Sequence, residues 1–147
     1  MAAVDLTNQG SGPAYSINGP NIAIIDAVLT TAQVASADEY LVAKFGENVS
    51  IPRGTIGNIV ATYPALGASC ATIVGIGDAD GVIDDELIAS GTTATAGGTD
   101  AGPAAPLGLL DVSGRYLILE IAVVGDAGGT VRIEIDTVGK PGSLQVP

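Results

Sequence analysis

The feature that most restricts the fold is a series of apolar runs of strand length, set apart by turn residues at fairly regular spacing. NIAIIDAVLT, EYLVAKFG, TIGNIVATY, CATIVGIG, RYLILEIAVV and TVRIEIDTV follow one another between Asn21 and Val138. Short runs spaced this way argue for an all-β sandwich or barrel rather than for helices alternating with strands. In the last run Val131, Ile133 and Ile135 alternate with Arg132, Glu134 and Asp136, the pattern of a strand with one face buried and the other in water. RYLILEIAVV is apolar on both faces apart from Glu120, so another sheet or another subunit must cover its second side. The link GDAGG reads as a glycine-bearing hairpin loop that makes these two runs antiparallel neighbours. That pairing places Glu120 opposite Arg132, an exposed contact contributing less than ~1 kcal/mol.

A chain of 147 residues fits one domain that buries roughly two thirds of its unfolded surface. Hydrophobic residues make up 47% but aromatics only 3%, so the core is built from Val, Ile, Leu and Ala, which suits extended, sheet-rich packing. Sixteen acidic residues against five basic ones give a formal charge of −11, which repels phosphate backbones and anionic lipid heads and argues against nucleic acid as a partner. Cys70 is the one cysteine, and histidine is absent, so no intrachain disulfide forms. MAAVDLTNQGSGPAYS lacks the basic start and apolar run of a signal peptide, and no apolar stretch approaches the ~20 residues of a membrane helix; the expectation is a soluble protein made in the cytoplasm.

Residues 1–21 mix Gly, Ser, Asn and Pro without period and are expected to form an extended N-terminal arm ahead of one β-sandwich domain, 22–147. SIPRGT places Pro52 and Gly54 at a turn before a new strand. GTTATAGGTDAGPAAP, from Gly91 to Pro106, has no bulky apolar residue and reads as a long surface loop. VIDDELIAS is compatible with one helical turn or an irregular strand.

The stretch IVGIGDADG, Ile73 to Gly81, is where chemistry would be sought first. Gly75, Gly77 and Gly81 break the spacing of a dinucleotide fingerprint, and no lysine follows to make a phosphate loop. Asp78, Asp80, Asp84, Asp85 and Glu86 crowd hard oxygen ligands into nine residues, as calcium would need. Counted from Asp78, however, the calcium-loop positions fall on Val82, Ile83 and Ala89. The plainer reading is a buried strand ending in a charged surface turn. Without histidine there is no base for a nucleophile, and Cys70 sits among small apolar residues as a core filler. Asp84 and Asp85, adjacent on a strand, would point to opposite faces and so make a poor acid and base pair. NVS at Asn48 matches a glycosylation acceptor but lacks a secretory signal to use it. No catalytic, cofactor or metal residues emerge.

The order of three pieces carries a resemblance. IPRGT leads into a strand, ALGASCATIVGIGDADGVID ends a strand in a Gly-Asp-x-Asp turn, and DAGGTVRIEIDTVG closes the sequence with a hairpin. From roughly Ser50 to Gly139 the chain resembles the decoration, or cement, proteins of tailed-bacteriophage capsids. What the resemblance implies is a jelly-roll-like antiparallel β-sandwich that trimerises, binds the major capsid protein on the outer surface of the assembled head and clamps neighbouring capsomers, with no catalytic residues. VIDDELIAS is more acidic than that pattern expects. Two rival readings are a tail, baseplate or head-fibre component and a calcium-dependent carbohydrate-binding β-sandwich, the latter weakened by having only four Tyr and no Trp for sugar stacking.

Overall fold

In the computed structural model, which describes residues 4–5, 21–47, 49–51, 58–102, 110–137 and 144–145, the alternating C-terminal run forms a strand from Gly129 to Thr137. Val131, Ile133 and Ile135 are completely buried, and Arg132 and Glu134 are exposed, as a half-buried strand requires. In chain order the described elements are β1 (Val4–Asp5), β2 (Asn21–Leu29), α1 (Thr31–Val34), β3 (Glu39–Phe45), β4 (Ser50–Ile51), β5 (Ile59–Tyr63), β6 (Ala71–Gly77), β7 (Ile83–Gly91), α2 (Thr93–Ala96), β8 (Gly98–Gly102), β9 (Leu110–Asp111), β10 (Tyr116–Val123), β11 (Gly129–Thr137) and β12 (Leu144–Gln145).

Two sheets hold the long strands. The first runs β3-β10-β6-β7, with β1 and β12 added along the free edge of β3; the second runs β2-β11-β5-β8. Except for the short parallel pair of β1 with β3, neighbours are antiparallel. Of the eight long strands, β6 and β7 are the one consecutive pair that also share a ladder; every other connection crosses from one sheet to the other. That winding is the jelly roll, an all-β sandwich closed by two Greek keys.

The winding overturns the expected hairpin. β10 and β11 belong to different sheets, and residues 124–128 carry the chain across the sandwich. Arg132 therefore lies opposite Asp26 of β2, whose carboxylate accepts from Nε at 2.9 Å and Nη2 at 3.2 Å. Glu120 lies opposite Glu39. The expected loop at Gly91 to Pro106 is also largely structured: Gly91 ends β7, α2 follows, and β8 pairs with β5 from Tyr63↔Gly98 to Ile59↔Gly102. Residues 103–106 of that loop, most of the expected arm, Pro52, Gly54 and Asn48 lie outside the described residues. VIDDELIAS is strand from Ile83 onward, interrupted by register shifts.

The core between the sheets is aliphatic. Ile25, Ile59, Val74, Ile76, Leu117, Leu119 and Ile133 are at most 1% exposed, with Tyr40 and Phe45 its largest members. At roughly 1.5–3 kcal/mol for each fully buried large side chain, this layer supplies the main driving force. Because neighbouring strands are antiparallel, connections alternate between two ends. The connections β2–β3, β5–β6, β7–β8 and β10–β11 gather at the end that carries α1 and α2. There Thr30 caps α1 through a reciprocal pair: its hydroxyl accepts from Gln33 N at 3.1 Å, and its own N–H donates to Gln33 Oε1 at 2.8 Å. The acidic turn between β6 and β7 is at the opposite end.

Candidate functional site

The glycines of IVGIG make room for the returning chain. A methyl group on Gly75 would meet Asp85 O at 2.7 Å and overlap Ile83 Cγ2; on Gly77 it would overlap the Val82 carbonyl oxygen. Residues 82–85 therefore lie directly over β6, and it is packing that requires glycine here. Within the turn Gly81 N donates to Asp78 O at 3.0 Å, and Val82 N to Asp80 Oδ1 at 3.0 Å. Asp80 thus holds the turn by an Asx-type bond.

The ladder then bulges. Ile76 pairs with Asp85 and Gly77 with Ile83, so Asp84 has no opposite residue. An extra residue rotates its neighbours, and Asp84 and Asp85 turn toward one group instead of opposite faces. That group is Arg115, just before β10. Its Nη1 donates to Asp85 Oδ2 at 3.2 Å, its Nε to Asp78 Oδ1 at 3.5 Å, and its Nη2 to Asp84 Oδ2. Burial pulls the guanidinium pKa down, but Asp78, Asp84 and Asp85 outweigh it and hold the group above its usual value. Three of the five carboxylates proposed from sequence thus converge on a cation. Asp80 serves the turn and Glu86 faces elsewhere.

Arg115 had no signal in the sequence, because it lies thirty or more residues from the turn. What brings it there is the pairing of β10 with β6, which sets Tyr116 against Gly77. A guanidinium among the carboxylates neutralises part of the charge that calcium would otherwise find.

A second cluster occupies the outer face of the first sheet. Register places Glu39, Glu120 and Ile73 in one row across β3, β10 and β6, and Leu41, Ile118 and Gly75 in the next. Ile118 is fully buried although it points away from the core between the sheets, and the chain returning over Gly75 and Gly77 packs there, with Ile118 Cδ1 near Gly77. The apolar surplus of β10 is thus covered in part from within the same copy. Above the Glu39 row, Asp84, Glu86 and Val82 complete a cavity of about 420 Å³. Burial first, and then Glu39 and Glu86, push the Glu120 carboxyl pKa upward. Glu39 Oε2 is buried and accepts no hydrogen bond among the described residues.

Cys70 is fully buried, and burial raises its thiol pKa. Neither cluster contains a nucleophile set against a base, and Arg115 is already committed to carboxylates. What both arrangements hold in quantity is negative charge on a stiff frame.

With this geometry in view, the comparison with solved structures becomes informative. The fold is shared with a phage capsid chain. The matching chain belongs to the capsid of Ralstonia phage GP4, with a TM-score of 0.68 over 93% of this chain and 97% of that one, at 18% sequence identity. The correspondence covers both sheets and nearly the whole of each chain, so the jelly roll as a whole is common to the two. No family model matches the sequence, nor does any curated protein.

Proposed function

We propose that this protein is a structural component of a phage virion, specifically a trimeric decoration protein that binds the major capsid protein on the outside of the assembled head and stabilises contacts between capsomers. The observation that carries the reading is the jelly roll shared end to end with a chain of a phage capsid. Three features support it: a rigid sandwich, clusters whose carboxylates face a guanidinium or one another, and a formal charge of −11 that keeps free copies apart and away from the genome. In this reading residues 22–147 form the sandwich domain, with Val4–Asp5 paired to β3 along its edge. Each copy adds a modest stabilisation that the assembled lattice multiplies, because only the native lattice presents all the contacts at once.

Mixing purified protein with undecorated heads and heating them is the direct test. Decorated heads are expected to survive to a higher temperature than bare ones, and absence of binding together with unchanged heat resistance rejects the proposal. Copy number separates this role from a tail, baseplate or head-fibre part, since cement is present in hundreds of copies per particle and a tail component in few. Calcium calorimetry addresses the carbohydrate-binding alternative. With Arg115 among the acidic side chains, a flat trace is expected.

A further inference from the structure

Nothing in the packing of the fold calls for the carboxylate row on the outer face of the first sheet. Glu39 and Glu120 stand directly opposite each other on β3 and β10, a like-charge pairing that destabilises a sheet, and Glu86 of β7 adds its field to theirs. Among the described residues none of the three is paired with a cation: Arg115 reaches Asp78, Asp84 and Asp85, Arg132 reaches Asp26, and Lys44 lies over the Tyr116 ring. Glu39 Oε2 is shut off from solvent and accepts no hydrogen bond among the described residues. A buried carboxylate oxygen without a donor is costly and needs an explanation; a donor arriving from outside supplies one.

The cavity over this row says what kind of donor. Its volume of about 420 Å³ exceeds what a bare ion fills, and among the described residues no three acidic side chains are grouped so as to hold a metal ion. The carboxylates share the lining with Ile73, Val82 and Ile83. That mixture matches a long basic side chain, whose methylene stem lies along an apolar wall while its charged head offers several N–H donors to the carboxylates. A second copy is a poor source, since three of the chain's five cations are already engaged and copies of charge −11 repel one another. Resting on the decoration reading, we propose that this cavity is a socket for an arginine or lysine side chain presented by the outer surface of the assembled shell, with Glu39, Glu86 and Glu120 as its acidic lining. Seating that cation relieves the repulsion that the free protein carries, so the carboxylates stabilise the complex while they strain the fold.

The test sets stability against binding at pH 7. Glu120→Gln and Glu39→Gln keep the shape of the lining and remove one charge each. Glu120→Gln is expected to melt no lower than wild type when free, and both variants to co-sediment with undecorated heads about tenfold more weakly. Glu134→Gln removes the same charge from the second sheet, and Asp80→Asn keeps the oxygen that accepts from Val82 N; both are expected to bind within about twofold of wild type. If Glu120→Gln and Glu39→Gln bind like wild type, or if all four variants weaken binding alike, the socket is overturned and the decoration reading stands. Wild-type protein that does not sediment with heads removes the decoration reading itself. Head binding abolished by a chelator gives the cavity to a metal ion, and self-association lost in Glu120→Gln while head binding persists gives it to a second copy; either result sinks the proposal.

Discussion

Arg115 shows how a single cation sets the character of a loop. Asp78 and Asp84 remain about half exposed or more, at 68% and 47%, so each ion pair alone contributes under ~1 kcal/mol. Losing Arg115 costs more than any one pair, because three carboxylates are then left facing one another. Arg115→Met is expected to lower stability by about 1–2 kcal/mol in urea at low salt and by clearly less in 1 M salt, where repulsion is screened; an equal loss in both would mean that the arginine acts through packing. Glu120 gives the opposite sign. Its pKa is raised above the ordinary 4.5 in the folded state, so the stability linked to it is fully present below that value and is lost as pH rises through the folded pKa. Asp111 works the other way: hydrogen bonds from Ser113 lower its pKa, so its contribution is present above 3.8 and is lost as pH falls through the lowered folded value. Glu120→Gln should therefore raise the melting temperature at pH 7, by a fraction of ~1 kcal/mol in stability, and flatten its decline as pH rises through the raised folded pKa of Glu120. An unchanged pH profile would show that Glu39 and Glu86 do not act on Glu120. Ala68 holds φ at 47°, a conformation that costs an alanine about 1 kcal/mol, and Ala68→Gly is expected to raise the thermal midpoint by one or a few degrees in calorimetry.

Among the elements, β7 lies against the backbone of β6, and the glycines of β6 are the reason. Gly75→Ala would push a methyl group into the backbone of β7 and is expected to cost about 1–3 kcal/mol by denaturant titration, with faster amide exchange along 83–88 as its local signature. Much of this architecture was legible in the residues. Alternation in TVRIEIDTV named the buried side chains of β11 because a period of two is a local property. The partner of β11 was not legible, since GDAGG suits a two-stranded hairpin and a crossing between sheets equally well. β8 was hidden for another reason: GTDAG has no branched or aromatic side chain and becomes a strand because β5 offers it a ladder. At the acidic turn the five carboxylates were visible, but the bulge at Asp84 and the arrival of Arg115 depend on register between strands distant in sequence.

For the molecule as a whole, the proposed decoration role leads to one measurable expectation. Light scattering should report a mass near three chains, and salt should favour that state by screening repulsion between copies; a monomer at every salt concentration would contradict the trimer. The winding has a further consequence. In the second sheet β11 stands between β2 and β5, two strands that have no other link across that sheet. Until residue 137 has left the ribosome, the half-made sheet lacks its middle, and nascent β2 can only wait. Such distant pairings bring a high contact order, and folding on the order of milliseconds to seconds. Each copy therefore completes itself only after synthesis of its final core strand, as one late, cooperative event.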